Sequence, residues 1–431
     1  MRRHDCRQQK FRFASLRLCV FAFIVPAAEV RAQAPAPAKA PPAAGAVDGA
    51  VDRACDWLRK QSAYPPADWN AAAKPASKEE LVLYTLLYGG VSREDPKAQA
   101  LLKSVLERPL ERTYVVSLRA MALEAWDAGA HQVDIAKCAQ FLVDNQCANG
   151  QWSYGEPTDL AHLTETTAGG KKPAKTTAAA PGKPVSSGTA SGTSDVSAPS
   201  APPAPSASPK PAPAKAAGSK ALKRMVIQRR RPGQAPGDNS NSQYAMLGLR
   251  ACLQAGVVLA APTVPDAEKW WAKCQNGDGG WGYNDKGGDY RKESYASMTE
   301  GGVGGLIIAL FFQNKPYKLD VRVIKGIDWI AKHFDATKNA EMTREGRDTS
   351  AEWVYYHLYA MERAGILFGT ESFGPKAWYA EGAEHLLKTQ NPDGSWGGGG
   401  QSDPVTSTCY AVLFLRRATK ALPKVYTPPG R

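Results

Sequence analysis

The chain has 431 residues, of which 43% are apolar, 22% charged and 9% aromatic. That is enough for one large core or two ordinary ones, and it excludes a small disulfide-dense scaffold and a collagen-like chain. The net charge of +13 is unevenly placed: residues 1–34 hold seven Lys/Arg against two Asp/Glu, and residues 169–236 hold twelve against one. The rest is mildly acidic, so the charge does not argue for specific nucleic-acid binding.

In chain order, residues 1–34 read as an export signal. Arg2, Arg3, Arg7, Lys10, Arg12 and Arg17 precede an apolar stretch from Leu18 to Ala28, and small residues follow at Val30-Arg31-Ala32 and Ala32-Gln33-Ala34. The expected location is periplasmic or extracellular, with a retained membrane anchor as the alternative. The apolar stretch is short for a bilayer span. Residues 35–46 are an Ala/Pro tether. Residues 169–236, rich in Ala, Pro, Ser, Thr, Gly and Lys, are expected to be a disordered basic linker, because they hold too little apolar surface to fold. Its closing run, Gln228-Arg229-Arg230-Arg231, reads as a solvated charge cluster or as a weak contact with an anionic surface. Residues 423–431 are a tail. Beyond Cys6 and Cys19 six cysteines remain, none in a CxxC pair, and their apolar helical settings favour buried thiols over disulfides.

The ordered part falls in two blocks, 47–168 and 237–422, which carry one recurring pattern. Gln146-Cys147-Ala148-Asn149-Gly150-Gln151-Trp152, Gln275 to Gly279 and Trp281, and Gln390 to Gly394 and Trp396 are three copies of Q-x-x-x-G-x-W, each after an apolar-periodic stretch. A worn copy runs from Gln61 to Trp69. The pattern predicts a helix ending at the Gln, a positive-φ turn at the Gly, and a Trp folded back as a plug, with the Gln amide meeting loose helix-end groups. Periodicity predicts one set of helices near 47–61, 96–107, 133–146, 263–275, 319–333 and 373–390. A second set, near 78–90, 112–128, 239–256, 299–313, 349–365 and 404–420, is more apolar and is expected to lie inside the first. The expected fold is all-α, an α/α array of about twelve helices with negligible strand.

The three repeats resemble the QW motif of squalene–hopene and oxidosqualene cyclases and of protein prenyltransferase β-subunits. The resemblance implies an (α/α)6 toroid over nearly all of the ordered chain. Segments at Asp238-Asn239-Ser240-Asn241, Ala296-Ser297-Met298-Thr299-Glu300 and Asp403-Pro404-Val405 are similar to inner-helix starts of bacterial squalene-cyclase-like proteins. The motifs that carry chemistry in those families are missing. There is no D-x-D-D acid, and Ser407 stands where the prenyltransferase zinc histidine would precede Thr408-Cys409-Tyr410. No metal and no cofactor are expected.

The nearest carboxylates to a cyclase acid are Asp348, Glu352 and Asp403. Asp348 and Glu352, four apart, would share a helical face, where a dry pair could raise one pKa. As helix-start residues, Asp348, Asp238 and Asp403 are equally explained as caps. Glu352, Tyr356, Tyr359 and Arg363 follow i, i+4, i+7, i+11. With Tyr244, Tyr410, Cys409, Asp238, Asn241 and Glu300 they are the candidate lining of a central site. His357 reads as a packed core residue, and the run Gly301-Gly302 with Gly304-Gly305 as either a ligand approach or close helix packing. Three functions follow: a non-catalytic exported protein binding an apolar, isoprenoid-like ligand or a protein partner at its centre or rim; a terpene cyclase or isomerase with a relocated acid; and a carbohydrate-active α/α enzyme.

Overall fold

The computed structural model describes residues 39–66, 76–163, 222–259, 262–284, 292–398 and 403–427, all within one unit, Pro37–Arg431. The expected signal at 1–34, residues 169–221 of the expected linker, and Trp69 lie outside the described residues. The chain is mainly helical. Among the described residues there are twelve α-helices: α1 (Ala44–Lys60), α2 (Glu79–Gly89), α3 (Pro96–Glu107), α4 (Thr113–Asp127), α5 (Gln132–Asp144), α6 (Asn239–Gln254), α7 (Thr263–Lys273), α8 (Ala296–Phe312), α9 (Val321–His333), α10 (Val354–Phe368), α11 (Trp378–Thr389) and α12 (Pro404–Leu415). Two minimal strand pairs accompany them: β1 (Met225–Ile227) parallel to β2 (Val257–Leu259), and β3 (Thr343–Arg344) antiparallel to β4 (Arg347–Asp348).

Local signals set the helix ends. Asp95 accepts from the Lys97 and Ala98 amides, with Pro96 at the first helical position of α3. Asp238, Asp320 and Asp403 cap α6, α9 and α12 in the same way. Gly90 ends α2 at φ 89°.

Burial separates two kinds of helix. In α1 the buried residues are Val47, Ala50, Val51, Ala54, Cys55 and Leu58, a single stripe at helical spacing. Each fully buried Val or Leu there stabilises by roughly 1.5–3 kcal/mol. By contrast α8 is buried continuously from Ala296 to Phe311. The even-numbered helices pack in sequence: α2 on α4, α4 on α6, α6 on α8, α8 on α10, α10 on α12, and α12 back on α2. The odd-numbered helices lie against them, and α1 also meets α11 and α12. The double glycines of α8 serve packing. A Cβ on Gly302 would sit 2.6 Å from Trp281, and one on Gly305 would sit 2.7 Å from Trp271. The six cysteines are buried free thiols.

Two expectations are corrected. The linker does not extend to residue 236, because residues 222–236 pack on α5. Met225 and Ile227 are buried, Gln140 Nε2 donates to the Gln228 carbonyl, and Gly233 pairs with Cys147. The basic run lies at the surface but each arginine is ion-paired: Arg229 with Asp266 at 3.6 Å, Arg230 with Asp159 at 3.4 Å and Arg231 with Glu156 at 3.4 Å. The Arg230 amide also donates to Asp144 at 2.9 Å. Acids far away in sequence are thus the partners of these arginines. The second correction concerns the helix expected at 349–365. It starts at Val354, because residues 343–348 form the β3–β4 hairpin and Trp353 takes a left-handed backbone, φ 61°. Offsets of the same size occur in α11, which begins at Trp378, and α12, which ends at Leu415.

Candidate functional site

The three Q-x-x-x-G-x-W segments have one shared geometry. Each Gln amide donates twice: to the carbonyl of its own Gly, and to a carbonyl of the next odd-numbered helix. Gln146 reaches Gly150 and Thr263, Gln275 reaches Gly279 and Arg322, and Gln390 reaches Gly394 and Ala50, all at 2.8–3.0 Å. The Gln therefore joins neighbouring units, a role beyond the helix-end contacts that the sequence suggested. The glycines have φ of 93–95°, and a Cβ on any of them would collide with a backbone carbonyl of that next helix. Trp152, Trp281 and Trp396 are fully buried, and each indole N–H donates to a carbonyl ten residues back. The third copy ties α11 to α1, the last odd-numbered helix to the first.

Tyrosines fill the space where the even-numbered helices face one another. Tyr114 of α4 stacks on Tyr244 of α6 at 3.7 Å. Tyr356 of α10 lies 6.3 Å from Tyr244 and 5.7 Å from Tyr410 of α12. Tyr359 stacks on Tyr410 at 5.7 Å, and the Tyr244 hydroxyl donates to that of Tyr410 at 3.4 Å. Helices α6 and α12 are not neighbours in the packing order, so this pair spans the interior. Burial pushes the phenols of Tyr114, Tyr356, Tyr359 and Tyr410 upward, so they stay neutral.

Arg363 enters this cluster from α10. It is 2% exposed, and its guanidinium lies 4.2 Å from the Tyr359 ring centre and 5.3 Å from that of Tyr244. Gln243 holds it in place, accepting from Nη2 at 2.7 Å and donating from Nε2 to the Tyr356 hydroxyl at 2.6 Å. Arg363 Nη1 and the Tyr359 hydroxyl are buried without a hydrogen-bond partner. Desolvated cation–π contacts, about 2 kcal/mol or more each, help to hold the charge here.

The structure separates the other candidates. Tyr244, Tyr356, Tyr359 and Tyr410 meet as expected. Asp238 is a cap that accepts from the Asn241 amide at 2.7 Å and its side chain at 2.8 Å; burial pushes its pKa up to about 6. Glu300 faces His357, whose Nδ1 lies 2.9 Å from Oε1, while His357 Nε2 donates to the Asp335 carbonyl at 3.1 Å. Burial raises the Glu300 carboxyl. Burial alone would lower His357, but Glu300 outweighs it and its pKa rises. His357 is therefore the partner of a buried acid, which a single sequence cannot reveal. Cys409 is fully buried, and burial pushes its thiol well up, so it stays protonated.

Asp348 and Glu352 do not form a dry pair. Asp348 is exposed in β4, where the Ser350 amide hydrogen bond lowers its pKa, and Glu352 pairs with Arg344 at 3.5 Å. Asp403 caps α12 and also accepts from Lys78, itself 5% exposed, at 2.8 Å. Burial works to raise its pKa, yet the Lys78 and Thr406 hydrogen bonds prevail and hold it below the ordinary value. A carboxylate fixed by an ammonium is a poor proton donor.

A second feature lies between the start of α10 and the end of α11. A cavity of about 290 Å³ is lined by Trp353, Val354, Tyr355, His385, Thr389 and Asn391, with Gly397 and Gly398. No family model matches this sequence, and no curated protein matches it.

Proposed function

We propose that the chain is a non-catalytic, exported binding or scaffold protein, built as a terpenoid-cyclase/prenyltransferase-like (α/α)6 toroid that receives its ligand or protein partner at the rim. The cycle of even-numbered helices from α2 round to α12 and back supports the toroid, as does the Gln390 tie from α11 to α1. The proposed export rests on the signal-like residues 1–34 alone. One observation carries the absence of cyclisation: Arg363 stands on the tyrosine faces that a carbocation would need. A fixed guanidinium repels a positive intermediate, and the stacked tyrosines occupy the room a folded polyene would take. Of the carboxylates nearest to a cyclase acid in sequence, Asp348 is exposed, Glu352 is paired with Arg344 and Asp403 is held by Lys78.

The test is incubation of the purified protein with squalene, oxidosqualene and farnesyl diphosphate, followed by mass spectrometry of the extracts. We expect no cyclised product from the wild type, Asp348→Asn or Asp403→Asn. A cyclised product that disappears in Asp403→Asn would overturn the reading.

A further inference from the structure

The cavity between α10 and α11 has a lining unlike that of the tyrosine cluster. Among the described residues, its wall holds no Lys, Arg, Asp or Glu. The carboxylates next to it in sequence are engaged: Glu352 by Arg344, Glu384 by Lys388, and Asp335 by the amide and hydroxyl of Thr337. Burial lowers the His385 pKa, so the ring is neutral at pH 7. The wall therefore gives an ionic ligand no counter-charge, and polar groups on it would be stranded against a purely hydrocarbon ligand.

One side of the cavity is aromatic. Trp353 is 37% exposed and has a left-handed backbone, φ 61° and ψ 28°, which costs a bulky residue about 1–3 kcal/mol. Its ring packs edge-on against Tyr356 at 6.3 Å, which holds the indole beside the opening. The other side offers hydrogen-bonding groups. The His385 ring has no hydrogen-bond partner among the described residues, whereas beside it Thr389 Oγ1 donates to the His385 carbonyl at 2.9 Å and Asn391 Nδ2 to the Gly397 carbonyl at 3.0 Å, which leaves their side-chain oxygens as acceptors. An indole plane facing neutral donors and acceptors matches a molecule with one apolar C–H face and a rim of hydroxyls. At about 290 Å³ the space is near the lower limit for ligand pockets, so it suits a ring or two.

We infer that this cavity binds an uncharged sugar ring, stacked on Trp353 and hydrogen-bonded by His385 and its neighbours. The inference rests on the rim-binding reading above, and it assigns no bond-breaking step to the site.

The experiment is saturation-transfer NMR and calorimetry on the full chain, using neutral trisaccharides of glucose, mannose, xylose and N-acetylglucosamine and a glucuronate-containing counterpart. At least one neutral trisaccharide should bind, and the charged one should bind more weakly. Trp353→Ala should weaken binding at least about tenfold, and His385→Ala should do so independently. Arg363→Met, in the tyrosine cluster, should bind as the wild type does. Circular dichroism checks that each variant is folded. The inference is overturned by no binding of any neutral sugar, by wild-type affinity in both Trp353→Ala and His385→Ala, or by loss only in Arg363→Met. Chromatography of the same mixtures separates the two readings, because a shortened trisaccharide would refute the non-catalytic reading and leave the site standing.

Discussion

Gly150→Ala is expected to destabilise the fold by about 2–6 kcal/mol, from left-handed backbone strain together with overpacking. Gly150 has φ 95°, and a Cβ there would lie 2.1 Å from the Asp266 carbonyl oxygen of α7. Neither party can yield cheaply, since Gly150 is fixed in its turn and the Asp266 carbonyl belongs to the backbone of α7. The cost is a large part of the 5–15 kcal/mol that usually separates folded from unfolded domains. The α7 turn supplies a matched control. Gly279 has φ 95° and a Cβ there would approach the Lys325 carbonyl to 2.7 Å, whereas Gly277 has nothing within 4 Å. Urea unfolding should show a loss of several kcal/mol for Gly150→Ala and Gly279→Ala, and near-neutrality for Gly277→Ala. Equal effects at Gly277 and Gly279 would remove the structural meaning given to the Q-x-x-x-G-x-W glycine.

Glu362→Gln is expected to flatten the decline of stability between weakly acidic and neutral pH. Glu362 is fully buried on α10, accepting from the Thr419 amide at 2.8 Å and the Thr419 hydroxyl at 2.7 Å. Burial raises its pKa from 4.5 to about 7, against the opposing hydrogen bonds and the charges of Arg363 and Arg417. The native state therefore holds this proton more tightly than the unfolded chain does. The associated stabilisation is fully present below about pH 4.5 and is lost as pH rises through about 7, on the order of 3 kcal/mol in all. Gln keeps an acceptor for the Thr419 amide and cannot ionise. Asp238, raised to about 6, leaves a smaller slope of the same sign in the variant. Denaturation at pH 4.5, 6 and 8 should give wild-type and variant curves that separate as pH rises, with the variant the more stable at pH 8. Parallel curves would mean that Glu362 is not a buried acid.

The staples were legible because their residues are close in sequence: Gln, Gly and Trp within seven positions name a helix end, a left-handed turn and a plug. The partner carbonyls were not legible, because Thr263 and Ala50 lie 117 and 340 residues from the glutamines they receive. The same distance hid the packing of residues 222–236. Composition alone read Arg229, Arg230 and Arg231 as solvated, and only the fold brings Asp266, Asp159 and Glu156 to them. The failure at 349–365 was local. Asp348-Thr349-Ser350 has the residues of a helix cap, yet Asp348 closes a two-residue turn by accepting from the Ser350 amide at 2.8 Å, and the helix waits for Trp353. For the tyrosine cluster, helical spacing put Tyr356, Tyr359 and Arg363 on one face. That Gln243 would hold the guanidinium on tyrosine rings had no sequence signal.

The central claim is that the helical series closes on itself, first unit against last. Arg416, at the end of α12, is 4% exposed in its side chain and pairs with Asp48 of α1, 368 residues away. A double-mutant cycle on Asp48→Ala and Arg416→Met, read by urea unfolding at low salt, tests that closure most directly. A closed series predicts an interaction energy above about 0.5 kcal/mol, and effects that simply add would contradict it.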